Sequence, residues 1–302
     1  MRIAIATRRS PLAMRQSEWV AAALRAAQPG LETALLEMST RGDELLDRRL
    51  APLGGKGLFI KALEEALESG RARLAVHSLK DVPAQLSPGF VLAAIPVRAD
   101  PRDVLVSRYG PALEDLPRGA RVGTASLRRQ AQLLAARPDL RVETVRGSVQ
   151  TRLSKVDDET LDAVVLAAAG VGRLGLARGT PLPVELMLPA SGQGALALEI
   201  RVDDAELATV ALKIEDAAAR IAARAERSFC KRLGASCAAP VAAYATVAAQ
   251  RVHLRVLVAA ADGSKVLAEE GESGVEEAVA LGERLADEML ARGAAPLIVA
   301  PA

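Results

Sequence analysis

His77-Ser78-Leu79-Lys80-Asp81 puts an imidazole, a hydroxyl, an ammonium and a carboxylate on one short stretch. The apolar run Leu74-Ala75-Val76 before it reads as a buried strand. Open α/β sheets place ligands and chemistry at the carboxyl ends of such strands. Pro83 limits Val82 to extended geometry and stops a following helix. Standing alone, this stretch reads as a solvated loop; the motifs further along give it weight. Asp81 is the acid/base candidate, because arginine-rich surroundings would hold it ionised.

Five other stretches could hold an anion or react. Thr7-Arg8-Arg9-Ser10-Pro11 joins a strand to a helix, and Arg8, Ser10 and the helix-start N–H groups make an anion site. A plain N-cap with a solvated arginine fits those residues equally well. Gly54-Gly55-Lys56-Gly57 lacks the spacing of a nucleotide P-loop. Its glycines let backbone approach a ligand, with Lys56 as a point charge; a mobile surface loop is the alternative. Gly123-Thr124-Ala125-Ser126-Leu127-Arg128-Arg129 sets two hydroxyls and two arginines at a strand-to-helix junction, where the helix dipole also points. Arg146-Gly147-Ser148 and Arg152 repeat the device. Ends of parallel strands line one edge, so these groups are expected to converge. A lone arginine of this kind is a surface ion pair of little worth, a reading that weakens for two matching junctions. Cys237 follows Gly234-Ala235-Ser236, small neighbours that leave its sulfur accessible. A small buried hydrophobe is the commoner role for a cysteine, and Cys230 fits it.

The charge distribution agrees. Net charge is only +2, yet Arg118–Lys155 holds nine Lys/Arg against two Asp/Glu, and Asp262–Glu288 reverses that ratio. Nucleic acid is the first candidate for a basic segment. Only six aromatic residues occur in the chain and none falls in that segment, so stacking platforms are missing. Arginine predominates, which favours bidentate capture of carboxylate or phosphate. His77 and His253 are the only histidines, and with Cys230 and Cys237 they offer no zinc spacing. No apolar run reaches the length of a membrane span. The first residues do not read as a signal peptide, and two cysteines suit a reducing compartment, so a cytoplasmic protein is expected.

These residues need elements to carry them. At 302 residues the chain is too long for one ordinary core. Short apolar runs alternate with helical patterns, the signature of parallel βαβ units. Strands are predicted at 2–6, 33–38, 74–77 and 91–95, with helices at 12–27 and 58–69. A break at 98–103 opens a second set: strands at 104–107, 121–123, 141–145 and 163–167, helices at 127–136 and 149–157. A proline-rich break spans 178–189. Beyond it come a strand at 195–200 and helices at 205–214 and 217–233. Strands at 241–247, 252–260 and 266–269 and a helix at 275–291 make a final α+β module.

Taken in order, the motifs resemble the hydroxymethylbilane synthase family, also called porphobilinogen deaminase. T-R-x-S-P-L-A stands at 7–13, T-R-G-D at 40–43, G-G-K-G-L-F at 54–59, H-S-x-K-D-V-P at 77–83 and D-P-R-D at 100–103. S-L-R-R-Q follows at 126–130, R-G-x-V-x-T-R-L-S-K at 146–155, L-P-x-x-G-Q-G-A at 188–195 and C-x-x-P at 237–240. The chain departs from the family's pattern at Pro52, Ala125 and the Ala235-Ser236 pair.

The resemblance implies a transferase that joins four porphobilinogens head to tail, releases ammonia and yields hydroxymethylbilane for tetrapyrrole synthesis. It implies a covalent dipyrromethane cofactor on Cys237, with Asp81 catalytic. It carries cofactor and substrate binding to Arg8, Ser10, Lys56, Phe59, Ser78, Lys80, Thr124, Ser126, Arg128, Arg129, Arg146, Gly147, Arg152, Arg173 and Gln193. The implied fold class is two α/β domains of the periplasmic-binding-protein type II around a cleft, plus a C-terminal α+β domain. Domain 1 takes residues 1–98 and 188–215, domain 2 takes 99–187 and domain 3 takes 216–302. A monomer without metal, nucleic-acid or membrane partner is expected. Two other readings use the same arginines. A non-enzymatic two-lobed anion-binding protein needs neither Asp81 nor Cys237. A phosphosugar transferase needs a metal-binding acidic pair, which the sequence does not offer.

Overall fold

The computed structural model describes residues 1–38, 55–236 and 238–298, with backbone alone at 55–59. The chain divides into two compact units, Met1–Arg98 with Ala195–Arg220, and Ala99–Gly194 with Ile221–Ala302.

The first unit takes β1 (Arg2–Arg8), α1 (Pro11–Ala27), β2 (Glu32–Met38), α2 (Gly55–Glu68), β3 (Leu74–Ser78) and β4 (Phe90–Ala94) from its first segment. Its second segment adds β10 (Leu196–Arg201) and α6 (Ala205–Leu212). The sheet runs β2-β1-β3-β10-β4. β1 is parallel to β2 and β3, whereas β10 is antiparallel to both its neighbours. Side chains alternate across the sheet. Ile3 and Ile5 enter one core with Leu24, Leu74 and Leu198, and Ala6 enters another with Leu63, Leu67 and Ala75. Both faces are covered, which is why the strands read as continuous apolar runs.

The second unit holds β5 (Asp103–Ser107), β6 (Arg121–Gly123), α3 (Leu127–Ala136), β7 (Arg141–Glu143), α4 (Val149–Asp157), β8 (Ala163–Ala167), α5 (Ala168–Arg173) and β9 (Thr180–Pro181). Its sheet runs β7-β6-β8-β5-β9, with β6 parallel to β7 and β8, and β5 antiparallel to β8 and β9. Both sheets therefore share one plan. Three parallel strands lie in the order second, first, third, and an antiparallel strand separates the third from the last. This is the periplasmic-binding-protein type II arrangement, present twice.

The same unit carries a C-terminal α+β module. It comprises α7 (Ala217–Leu233), the meander β11 (Val241–Ala248), β12 (Arg251–Ala259) and β13 (Val266–Gly274), and α8 (Ala278–Ala291). Phe229, Leu254, Val256, Leu281, Leu285 and Met289 fill its core. The two helices meet at Gly282, where an added Cβ would lie 2.1 Å from Ser228 Oγ and 2.4 Å from the Ala225 carbonyl.

Several element ends differ from the sequence reading by two or three residues, and three departures are larger. β13 continues to Gly274 because its outer half, Glu269-Glu270-Gly271-Glu272, is an edge strand with no apolar alternation to betray it. α5 is too short to show helical periodicity. β9 lies in the proline-rich segment, where an edge position spares Pro181 a ladder hydrogen bond.

Candidate functional site

In the first unit, β1 and β3 end on the same edge of the sheet. Arg8 is the last residue of β1. Ser10 caps α1, its Oγ accepting from Ala13 N at 3.3 Å, and Pro11 takes the first helical position. β3 ends at Ser78, and a 3₁₀ turn of Leu79–Asp81 presents Lys80 and Asp81 immediately past that edge, both half-buried. The turn is tied down: Leu79 N donates to the Ala195 carbonyl and Val82 N to the Leu79 carbonyl, each at 3.0 Å. Ser78 Oγ accepts from Gln16 Nε2 at 2.8 Å, so this hydroxyl already serves the fold. His77 is buried and lies 2.7 Å from Glu199 Oε2, a partner the sequence did not name. Lys56 and Phe59 have no described side chains, and Cys237 lies outside the described residues.

In the second unit, β6, β7 and β8 end on one edge, and each leads into a helix that begins there. Thr124 Oγ1 accepts from Ser126 N at 3.1 Å, and Ser126 caps α3 through Arg129 N. Ser148 caps α4 through Thr151 N. Gly147 sits at φ +109°, a conformation that suits glycine, and its carbonyl accepts from Arg152 Nε at 3.1 Å. Arg146 is exposed and has no hydrogen-bond or ion-pair partner among the described residues. Arg173 closes α5; its Nη2 donates to the Gly194 carbonyl at 2.7 Å. No carboxylate faces Arg173 among the described residues, and burial pushes its guanidinium down to about 10.

Arg128 and Arg129 are different. Both are buried, and both face Asp103, the first residue of β5. An antiparallel strand brings its N-terminal residue to the edge where parallel strands end, so Asp103 arrives beside the start of α3. Arg128 Nη1 lies 2.8 Å from Asp103 Oδ2, and Arg129 Nη2 lies 2.8 Å from Oδ1. Arg128 also donates to the Leu188 carbonyl at 2.7 Å, and Arg129 to the Val165 carbonyl at 2.9 Å. Burial pulls the Arg128 guanidinium below its ordinary value, while Asp103 opposes that shift. Gln193 is fully buried among them; its Nε2 donates to the Pro101 carbonyl at 2.7 Å and to Asp103 Oδ1 at 3.0 Å. The group keeps one net positive charge. Asp103 belongs to the D-P-R-D motif, and the signal for it was a carboxylate opening an otherwise apolar strand, Val104-Leu105-Val106.

The chemistry of this edge shows in what it omits. Helix N-termini favour acidic side chains. Yet α1, α3, α4 and α5 have no acid in their first turns, and α3 has two arginines there. α6 follows the antiparallel β10 and so starts at the opposite edge. It has the usual arrangement, an Asp204 cap and Glu206, both paired with Arg73. At the carboxyl-end edge of each sheet these α-helix starts leave their N–H groups and dipole without an acid in the first turn.

A family model described as porphobilinogen deaminase, dipyromethane cofactor binding domain, matches residues 3–209, and the C-terminal domain of the same enzyme matches 220–291. The porphobilinogen deaminase of Syntrophotalea carbinolica is 49% identical, covering 98% of this chain and 95% of that one. The enzymes of Chromobacterium violaceum and Xanthomonas euvesicatoria are 50% and 51% identical, covering 99% and 97% of this chain and 97% of each relative. The chain belongs to the porphobilinogen deaminase family. It is a transferase of tetrapyrrole synthesis that acts on porphobilinogen and uses dipyrromethane, and not a two-lobed binding protein without chemistry. Among solved structures, a periplasmic substrate-binding protein of an ABC transporter from Coxiella burnetii is 14% identical, with a TM-score of 0.45, covering 74% of this chain and 96% of that one.

The residues present fit the cofactor. Each pyrrole of a dipyrromethane carries an acetate and a propionate. Arg173 offers a guanidinium with one hydrogen bond and no acid partner among the described residues, and Arg146 offers one exposed to solvent.

Proposed function

We propose that this chain joins four porphobilinogens head to tail with release of ammonia, and that the dipyrromethane primer is held as a thioether on Cys237. When bound, the cofactor supplies the pyrrole terminus from which the chain grows. The observation that carries this reading is the second sheet's edge, where basic side chains gather and helix starts lack acids. Arg146, Arg152 and Arg173 bind pyrrole carboxylates, with the buried Arg128–Arg129 pair adding positive potential behind them. Arg8, Ser10 and Lys80 serve the first sheet's edge in the same way, and the G-G-K-G-L-F motif supports Lys56 and Phe59 as further binding residues. Thr124, Ser126, Gly147, Ser78 and Gln193 shape the loops.

Asp81 is the catalytic carboxylate. Positive charge develops on porphobilinogen as ammonia leaves, and a fixed carboxylate stabilises it more in the transition state than in the ground state. The same group accepts the pyrrole N–H and relays the proton lost from the reacting carbon.

A division into domains 1–98 with 188–215, 99–187 and 216–302 suits this chemistry, and the composition breaks at 98–103 and 178–189 support it. A cytoplasmic monomer that binds neither nucleic acid nor membrane is the matching cellular reading. Two cysteines and a basic segment without aromatics support it. Among the described residues no helix is long and apolar enough to cross a membrane.

One series tests the proposal. Intact mass of denatured protein from a porphobilinogen-producing host is expected to exceed the sequence mass by two linked pyrroles. Cys237→Ala removes both the adduct and activity, and Cys230→Ala keeps both. Asp81→Asn keeps the adduct and loses at least about a hundredfold in kcat. Active wild type at its bare sequence mass, or near-normal turnover in Asp81→Asn, overturns the corresponding role.

A further inference from the structure

Helix α7 places Ala222, Ala225, Phe229 and Leu233 on the apolar stripe that faces the C-terminal core. Glu226 lies among them with no exposed surface. An aliphatic side chain there would cost less than a buried carboxylate, so Glu226 needs a reason. Its two oxygens reach different parts of the unit: Oε1 accepts from Ala245 N on β11 at 2.8 Å, and Oε2 accepts from Gly192 N at 2.6 Å. Backbone N–H groups bonded to a carboxylate make strong, short contacts.

Gly192 begins a tight turn on which the arginines depend. Gly192 and Gly194 both have positive φ, +72° and +88°. A Cβ at Gly194 would lie 2.5 Å from the Ala99 carbonyl, so the backbone passes there as closely as glycine permits. Gln193 Oε1 accepts from Arg128 Nη2 at 3.5 Å while its Nε2 holds Asp103. The Gly194 carbonyl holds Arg173 Nη2 at 2.7 Å. Three successive residues thus connect a helix carboxylate to the guanidinium groups at the sheet edge.

We propose that Glu226 is a positioning residue for carboxylate binding: by holding Gly192 it sets the 192–194 turn, and through Gln193 and Gly194 it sets where Arg128 and Arg173 point. The inference rests on the arginines binding pyrrole carboxylates as read above. It adds a requirement that the arginines alone do not make. The cofactor-bearing module must be docked by Glu226 before the edge binds substrate well.

The test is a double-mutant cycle of Glu226→Gln and Arg173→Leu. It is read by KM and kcat per adduct-bearing molecule, and by the rate at which full-length, cofactor-free protein acquires the adduct mass from porphobilinogen. Glu226→Gln keeps the shape, but its amide N–H₂ opposes one of the two backbone donors. It is expected to raise KM roughly tenfold and to slow adduct acquisition by a similar factor, with kcat changed less than about threefold. In the Arg173→Leu background the same change is expected to raise KM less than about threefold, because one of its two targets is gone and the other, Arg128, acts only through its potential. Equal effects in both backgrounds, or a lowered melting temperature with unchanged KM and adduct rate, overturn the positioning role. If Arg173→Leu itself leaves KM and adduct rate unchanged, the carboxylate reading of that arginine falls, and this inference with it. That outcome is distinct from a silent Glu226→Gln beside a responsive Arg173→Leu. Should Glu226→Gln not fold, Glu226→Asp keeps the charge but withdraws it by one methylene, and it is read by the same outcomes.

Discussion

The antiparallel strand of each sheet, β10 in the first and β5 in the second, carries a carboxylate that solvent does not reach: Glu199 and Asp103. Their company differs. Glu199 sits within its strand, opposite Ala75, and its partner is the imidazole of His77, with Glu64 close by. Asp103 sits at the strand's first residue and faces two guanidinium groups. The first pairs its acid with an imidazole. The second pairs its acid with two groups that stay charged, because arginine does. One topology thus supports an imidazole–carboxylate pair in the sheet that carries Asp81 and a carboxylate between two guanidinium groups in the other. The difference follows from where along the antiparallel strand the acid was placed.

Breaking the second arrangement is expected to have the largest effect. Asp103→Asn keeps the shape and leaves two buried guanidinium groups without their counter-charge. A loss of about 3–5 kcal/mol is expected in urea unfolding. A loss under 1 kcal/mol would mean that the arginines find other partners.

Glu64, beside the first arrangement, is expected to respond to pH. Burial raises the pKa of Glu64 above its ordinary 4.5, against a hydrogen bond from Ser87 that lowers it. For an acid whose folded pKa is raised, the folded state bears the cost of ionisation only when the group ionises. The cost is therefore absent below pH 4.5, grows as pH rises from 4.5 to the folded pKa, and is constant above it. Glu64→Gln is expected to flatten stability above pH 4.5 and to raise it at pH 7, because the amide has no ionisation cost. An unchanged pH profile of urea midpoints would show that Glu64 ionises in the folded state without this cost.

The helix caps sharpen the comparison most finely. Ser10→Ala in the first sheet is expected to cost about 1 kcal/mol. Ser126→Ala in the second is expected to cost about half as much, because Asp103 already holds the first turn of α3 through Arg128 and Arg129. Equal costs in thermal unfolding would show that the anchor does not act on the cap.

Much of this was legible in the chain. The βαβ alternation announced both sheets, since strands covered on both faces are unbroken apolar runs. The strand-to-helix junctions announced the anion edge, since Arg128, Arg129 and Ser126 stand together in sequence. Asp103 and Glu199 were harder to see. Their partners lie 25 to 122 residues away, and only an acid within an apolar run hinted at them. Glu226 was invisible, because a glutamate on a helix reads as solvated until its neighbours Ala225 and Phe229 prove to be core. The role of Gly192–Gly194 was equally hidden, because it depends on the carbonyls and arginines that the turn meets.

β10 also has a consequence in time. It lies between β3 and β4 in the first sheet, yet it is encoded about 100 residues after β4. At roughly 5–20 residues per second, a ribosome that has finished β4 takes about 5–20 s to reach it. Through that interval β3 and β4 lack the neighbour that will join them. The second sheet has no such wait, because β5 is made first and β9 last, so all five of its strands emerge before β10. During synthesis the charged sheet can close while the sheet that carries Asp81 is still incomplete, and the open edges of β3 and β4 are where a nascent chain of this protein is most exposed to a wrong partner.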